Sequence, residues 1–204
     1  MIPYFVFNNK KSSDYDIIIN EMPPEQYADD EFEYIEIPGR DGYLSINKGR
    51  KKPIVKNIVA TLLNKENREF VKRWLRGTGN LVISSQPDIF YKAKITKPVI
   101  YYASSSFGRQ FEVEFLCQPY GYLFSGLDTT TITTKNTVLY NPTDEIAKPL
   151  ITIYGSGAVD LIINNNIYKF NINGYVTIDS ELMECYKDNL LVTFIGDFVA
   201  VRPL

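Results

Sequence analysis

Acidic side chains are the residues of this chain best suited to chemistry. Residues 21–36 contain seven carboxylates and no basic residue. Paired carboxylates hydrolyse glycosidic bonds when they lie about 5 to 9.5 Å apart across a cleft. Closely spaced acids on a polar segment are more often a solvated surface, which we favour over a hydrolase. Asp128 and Asp144 could offer oxygen ligands to calcium, but without a calcium-loop spacing the sequence favours an ordinary loop.

Other reactive groups are scarce. Histidine is absent, which removes the most common general base and metal ligand. Cys117 and Cys185 are too few to build the usual structural zinc sites, and Cys117 alternates with phenylalanines, which predicts a buried thiol. Gly77-Thr78-Gly79 lacks the lysine of a phosphate-binding loop and follows a helix instead of opening one. We therefore predict no metal, no cofactor and no enzymatic activity.

One binding chemistry stays open in the last third of the chain. Asp160, Asn164, Asn165 and Tyr168 could line a carbohydrate site, because amides and aromatic faces suit sugars. The same asparagine run is also a good hairpin turn, and the turn is the favoured interpretation. A carbohydrate-binding β-sandwich module is accordingly the alternative function.

The elements that would position these residues are mainly strands. Aromatic residues make up 14% of the 204 residues, including 15 tyrosines, and this composition favours β structure. Alternating apolar residues predict strands at 32–37, 54–63, 90–102 and 107–117. One helix is predicted over residues 64–76, with Asn64 as its N-cap. Its apolar stripe, which includes Phe70, Trp74 and Leu75, should pack against a sheet.

The second part of the chain reads as strands alone. Strands are predicted at 150–154, 158–164, 167–172 and 175–178, separated by turns at Gly155-Ser156-Gly157, at the asparagine run and at Asn173-Gly174. This spacing indicates an antiparallel sandwich. The Thr-rich segment 128–134 divides the chain into domains 1–126 and 127–204. It could be a linker or an exchanging edge strand.

Charge and hydropathy restrict the partners and the location. A net charge of −2 gives no support for sequence-specific nucleic-acid binding. No apolar stretch approaches the roughly 20 residues that span a bilayer, and the first residues lack the pattern of a secretion signal. We expect a protein that is made in the cytoplasm and is not inserted into a membrane.

Five groups of segments follow one another along the chain. They are Met22-Pro23-Pro24 with Ile37-Pro38-Gly39-Arg40-Asp41-Gly42, residues 74–81 (WLRGTGNL) with 91–95 (YKAKI), residues 111–115 (FEVEF) with 118–120 (QPY), Asn141-Pro142-Thr143 with residues 149–157 (PLITIYGSG), and Ile178-Asp179-Ser180 with Cys185-Tyr186. Taken together and in this order, they resemble the distal tail (Dit) proteins of long-tailed, siphovirus-type bacteriophages.

The resemblance implies a fold and an assembly. It implies an N-terminal β-rich, sandwich-like domain with one helix and an extended hairpin, followed by a galectin-like β-sandwich. It also implies a hexameric ring at the distal tip of the tail, joining the tail tube protein to the tail-associated protein and to receptor-binding or baseplate proteins. Such chains often continue past the region of Gly196-Asp197-Phe198 with a further strand, so this chain is either a short member with a smaller second sandwich or a truncated sequence. A galectin-like fold does not by itself imply sugar binding.

Ring closure requires two different surfaces that meet across each subunit boundary. We predict that acids such as Glu33 and Glu36 meet the basic residues that follow them, which are Lys48, Arg50, Lys51 and Lys52. Pairing across two strands of one subunit is the equal alternative. Residues 43–53 could belong to a hairpin that wraps a neighbour or could be a plain surface loop. The family-signature turn would lie at Pro38, Gly39, Arg40, Asp41 and Gly42.

Overall fold

A computed structural model describes residues 2–102, 108–163 and 165–202. The chain divides into two compact units, residues 1–130 and 131–204. Strands dominate both units, and the prediction of a mainly β protein with one α-helix is confirmed. No helix in the described part of the chain is long and apolar enough to cross a membrane.

The first unit contains an eight-stranded sheet and a separate two-stranded hairpin. Its elements in chain order are β1 (Phe5–Phe7), β2 (Lys10–Lys11), β3 (Ile17–Glu21), β4 (Asp30–Glu36), β5 (Tyr43–Lys51), β6 (Ile54–Leu62), α1 (Arg68–Trp74), β7 (Thr78–Ile83), β8 (Gln86–Ile95), β9 (Ile100–Tyr101) and β10 (Arg109–Leu123). The sheet runs β2-β1-β7-β8-β10-β6-β3, and β9 also pairs with β10.

Strand alternation builds the core of this unit. In β10, Phe111, Val113, Phe115 and Cys117 are buried on one face, as their period of two predicts. β10 pairs antiparallel with β6 along the whole of β6, and with β8 and β9 on its other side. The predicted partner segment 90–102 is therefore correct, although the small-residue turn at 103–106 lies outside the described residues.

The helix region begins with a short 3-10 turn. The Asn64 side chain accepts a hydrogen bond from the Glu66 backbone N–H at 3.0 Å, and residues Lys65–Asn67 form the 3-10 turn that leads into α1. Trp74 stacks on Phe5 with the ring centroids 5.5 Å apart, and its Nε1–H donates to the Phe7 carbonyl oxygen at 2.8 Å. The helix is thereby attached to β1 through apolar contact and a buried hydrogen bond.

The second unit is built on one long hairpin. Its strands are β11 (Leu150–Ile163), β12 (Asn166–Asp179), β13 (Glu184–Lys187) and β14 (Leu190–Leu191), which pair in that order. The turns predicted at Gly155-Ser156-Gly157 and Asn173-Gly174 are wrong. Gly155 pairs with Gly174 and Ser156 with Asn173, so both segments lie inside the ladder.

The inner face of β12 forms the core of the second unit. Phe170, Ile172, Val176 and Ile178 are buried there, and residues 192–201 contribute further apolar side chains to the cluster. This last segment bonds to the rest of the unit through the bridges Ala147–Val201 and Lys169–Ile195.

Candidate assembly surface

The β4–β5 hairpin stands apart from the large sheet. In the described part of the chain its two strands pair with each other and with no third strand. A two-stranded hairpin is marginally stable by itself in water, because it cannot bury both of its faces. It is therefore the element of this chain with the clearest need for a partner.

A tight turn closes the hairpin. Pro38 and Gly39 occupy its centre, Gly39 has φ +82°, and the Arg40 N–H donates to the Ile37 carbonyl oxygen at 3.1 Å. Proline followed by glycine with positive φ is typical of a type II turn. Gly42, also at φ +82°, leads the chain into β5. The predicted signature turn thus sets the tip of the hairpin, and Asp41 lies within it.

Apolar side chains cover both faces of this hairpin. Cross-strand register places Phe32, Tyr34 and Tyr43 on one face, where Tyr34 and Tyr43 are 59% and 60% exposed with their rings 4.6 Å apart. The pair Ile35–Leu44 lies on the opposite face. Exposed apolar area concentrated on one element marks an interaction surface more often than a solvated one.

Ion pairs stabilise the base of the second face. Arg50 donates to both carboxylate oxygens of Glu31, at 2.7 and 3.0 Å, and Lys48 Nζ lies 3.4 Å from Glu31 and 3.7 Å from Glu33. The hydrogen bonds from Arg50 are the main reason that the pKa of Glu31 falls below its ordinary value. A bidentate arginine–carboxylate pair is the strongest geometry open to an exposed ion pair. These ion pairs bridge β4 and β5 beside the register shift between Asp30 and Phe32.

The predicted assembly residues separate into two groups. Glu33, Lys48 and Arg50 contact one another or Glu31 across the two strands of one chain, which is the intrachain alternative to subunit pairing. Lys51 ends β5 with its Nζ 5.8 Å from the Tyr120 ring centroid. Intersubunit contacts of these residues stay a prediction.

Glu36 and Lys52 have exposed side chains at opposite ends of the hairpin. The Lys52 backbone N–H donates to the Asp29 carbonyl oxygen at 2.8 Å, which closes the base. Glu31 was not among the predicted assembly residues although it is the centre of the ion-pair network. Its position two residues before Glu33, on the same strand face, was the signal that could have found it.

The structure does not assemble the predicted carbohydrate site. Tyr168 is only 3% exposed and belongs to the core of the second unit, so its ring cannot stack on a sugar. Asp160 and Asn165 are exposed, and Asn165 has the positive φ of a turn residue. Asn164 lies outside the described residues. This arrangement is the hairpin turn that the sequence favoured.

The remaining reactive groups lie in cores or on solvated strands. Burial raises the pKa of the Cys117 thiol to about 11, so the thiolate nucleophile is disfavoured. Within residues 2–102, 108–163 and 165–202, no three potential metal-ligating side chains come together. The acids of β4 face solvent or pair with basic residues of the hairpin.

The topology defines a class of protein: a β-rich unit with one helix and a projecting hairpin, followed by a second β unit. A distal tail protein of known structure shares this fold, and the resemblance seen in the sequence motifs is confirmed at the level of the fold. One solved structure that shares the fold is the Dit protein (gp 19.1) of phage SPP1, described as a paradigm of the hub adsorption apparatus in phages that infect Gram-positive bacteria.

The likeness to SPP1 Dit extends over the whole chain. It covers 100% of this chain and 91% of that one, with a TM-score of 0.71 and 15% sequence identity. No family model matches this sequence, and no curated protein is significantly similar to it. At 15% identity, the structural likeness shows a shared fold alone.

Proposed function

We propose that this protein is a structural component of a bacteriophage tail, forming a hexameric ring hub at the distal end of the tail tube. The observation that carries the proposal is the full-length likeness to SPP1 Dit, a hub adsorption protein. The match covers both units in the same order along the chain, so the inference starts from a shared fold. Because a fold alone does not determine a function, the function is argued from the surfaces of this chain.

The β4–β5 hairpin supports self-assembly. Its two apolar faces are exposed in the single chain and would be covered if each copy laid its hairpin on the next copy around the ring. Such a contact joins two different surfaces, which is the arrangement that closes rings. Apolar area would supply the affinity, and the charges at the hairpin base would limit its orientation.

The ring would connect the tail tube protein to the tail-associated protein and would offer its periphery to receptor-binding or baseplate proteins. DNA would pass through the lumen without sequence-specific contact. The role requires neither a cofactor nor catalysis, and it places the protein in the virion at the tip of the tail.

Measurement of the molar mass in solution tests the proposal. Size-exclusion chromatography with light scattering should give about six times the 23.4 kDa of one chain, and negative-stain images should show rings with an open channel. A sample that stays monomeric at high concentration, and that forms no ring with the neighbouring tail proteins, would contradict it.

Variants of the β4–β5 hairpin test whether its exposed apolar residues form the contact between subunits of the ring. Ile35→Asp and Leu44→Asp, each placing a charge on the aliphatic face, should convert hexamers to smaller species. Val138→Asp is the matched control, because Val138 is 87% exposed in the second unit. Circular dichroism must show that each variant stays folded. If the two hairpin variants and the control assemble equally well, the hairpin is not the subunit contact.

A further inference from the structure

An apolar pocket in the second unit has no role in the ring proposal. It has a volume of about 310 Å³ and is lined by residues 183–185, residues 191–194 and Phe198. Strand pairing builds it, because Leu191 of β14 pairs with Tyr186 of β13 and the Val192 N–H donates to the Cys185 carbonyl oxygen at 2.8 Å. A pocket of this volume is at the lower end of the range for ligand sites, so it suits one bulky side chain.

The surface around this pocket is apolar and open to solvent. Met183 and Leu191, which line the pocket, are 63% and 78% exposed. Their sequence neighbours Leu182 and Leu190 are exposed as well. Single exposed apolar residues are ordinary on a protein surface, whereas several gathered at one place mark an interaction site. This end of the second unit is therefore suited to contact another molecule.

The lining favours an aromatic side chain as the occupant. The Phe194 and Phe198 rings meet edge to face with their centroids 5.4 Å apart, and Phe194 stacks on Phe170 on its other side. A further ring can extend such a cluster, because aromatic pairs are attractive in both arrangements. Met183 adds a flexible thioether, which makes favourable contacts with aromatic rings and adapts to their shape.

The charges near the pocket favour a cation beside that ring. Residues 179–198 contain five carboxylates and one basic residue. Glu184 lines the pocket and lies opposite Asp179 in the strand register, which is a repulsive arrangement. Within the described residues no basic side chain pairs with Glu184. The one basic residue of the segment, Lys187, is directed elsewhere, because its Nζ donates to the Asn173 carbonyl oxygen.

We propose that this pocket binds a segment of another protein that carries an aromatic side chain next to lysine or arginine. The aromatic ring fills the pocket against Phe194, Phe198 and Met183, and the neighbouring cation lies beside Glu184. A buried aromatic anchor supplies affinity, and charge complementarity supplies specificity. The site lies in the second unit and uses no residue of the β4–β5 hairpin, so it does not depend on the ring contact.

Methyl NMR of the methionines in the full chain tests the site. Met183 reports on the pocket, and Met22, which packs against the core of the first unit, is the internal control. The probes are the capped tripeptides Lys-Phe-Lys, Glu-Phe-Glu and Lys-Ala-Lys, added separately at constant ionic strength and neutral pH. Lys-Phe-Lys should shift the Met183 signal and leave that of Met22 unchanged. It should bind about fivefold or more tightly than the other two, since each lacks either the cation or the anchor.

Three outcomes of this titration would overturn the proposal. The first is equal binding of the three peptides. The second is no binding at about 10 mM peptide, a concentration at which a site with a Kd of about 1 mM is almost full. The third is a Met183 signal that moves with protein concentration alone, which would show that a second copy occupies the pocket. The ring is measured by molar mass, so either proposal can fail without the other.

Substitutions of Glu184 locate the binding. Glu184→Lys should remove the preference for Lys-Phe-Lys over Glu-Phe-Glu, because the cation of the peptide then meets a like charge. Glu184→Gln should reduce the preference, and it decides the question if the lysine variant fails to fold. Asp144→Lys is the matched control, because Asp144 is exposed in the same unit and does not line the pocket. A preference that persists in both Glu184 variants, or that falls equally in the control, would exclude this pocket.

Discussion

At the scale of single residues, Trp74 joins the helix to the sheet through two interactions that can be separated. The ring stacks on Phe5 and packs against Phe70, while Nε1–H donates to the Phe7 carbonyl oxygen. Stacking depends on aromatic area, whereas the hydrogen bond depends on the indole nitrogen alone. A phenylalanine at this position keeps the first interaction and loses the second.

We therefore expect graded losses of stability. Trp74→Phe should lower the free energy of unfolding by about 1–2 kcal/mol, because a buried carbonyl loses its donor. Trp74→Ala should lower it by about 3–5 kcal/mol, because a large cavity is added. Urea denaturation measures both, with Tyr27→Ala as the control, since Tyr27 is 98% exposed. An unchanged stability of Trp74→Phe would show that the hydrogen bond contributes nothing, and equal losses in the two variants would show that the ring contacts contribute nothing beyond it.

Lys56 is a lysine buried among the apolar residues of the first unit. It interrupts the apolar face of β6, is 1% exposed, and its Nζ lies 4.5 Å from the centroid of the Tyr91 ring. Burial lowers the pKa of Lys56 below its ordinary value of 10.5. Between the lowered pKa and 10.5 the unfolded chain binds more protons than the folded one. The contribution of Lys56 to stability therefore increases as the pH rises through this window.

Replacing this lysine should remove that pH dependence. In Lys56→Met, the gain in unfolding free energy between pH 7 and about 10 should be smaller than in the unchanged protein, because methionine has no proton whose binding differs between the folded and the unfolded chain. Comparing the two proteins cancels the contributions of the groups that do not interact with Lys56, and loss of the Lys56 charge raises the pKa of the Cys117 thiol further, which changes the profile in the same direction. Lys52→Met, at an exposed position, should leave the profile unchanged. A Lys56→Met profile parallel to that of the unchanged protein would contradict the lowered pKa.

At the scale of elements, the β11–β12 hairpin shows how glycines can mislead a sequence analysis. Asn-Gly and Gly-Ser-Gly are strong turn signals, but here they face each other across an unbroken ladder. Gly157 and Gly174 have φ of +84° and +89°, so the conformations typical of a turn are present without a reversal of the chain. The conformational preference of glycine accounts for the positive φ of Gly157 and Gly174, but the pairing of β11 with β12 determines where the chain reverses.

These two glycines should therefore resist substitution. Gly157→Ala and Gly174→Ala should each lower the melting temperature of the second unit, by an amount equivalent to about 1 kcal/mol, because a Cβ is strained at positive φ. Gly155→Ala is the control, since Gly155 lacks a positive φ and an added Cβ would meet Val159 Cγ2 at an ordinary 3.5 Å. Melting temperatures that fall equally in all three variants would indicate packing as the cause.

Elements with strong periodicity were predictable from the sequence. β10 and the helix region followed from alternation and from the Asn64 cap, because local pattern and tertiary burial agree there. That β4 and β5 pair with no further strand in the described residues could not be predicted. A strand with alternating apolar residues has the same sequence pattern whether or not it joins a larger sheet.

At the scale of the whole molecule, the charged residues of the β4–β5 hairpin fall into two groups: those that pair within one chain and those placed to act between copies of the chain. Lys48 and Arg50 pair within the chain with Glu31 and Glu33, so their loss should affect the hairpin itself. Lys52 and Glu36 are exposed and are the predicted assembly residues best placed to act between copies. Contacts between copies would weaken with salt, because exposed charges are screened beyond about 10 Å at 0.1 M.

Reversing the charge of Lys52 distinguishes contacts between copies from pairing within one chain. Lys52→Glu should raise the protein concentration needed for ring formation at roughly 0.05 M NaCl and have less effect at roughly 0.5 M, where screening already weakens the attraction. Analytical ultracentrifugation measures this, with Lys135→Glu as an exposed control in the second unit. Arg50→Gln should instead loosen the hairpin, seen as faster hydrogen exchange in β4 and β5. If Lys52→Glu rings match those of the unchanged protein in both salts, the acidic and basic residues pair only within each copy, and apolar area alone must hold the ring.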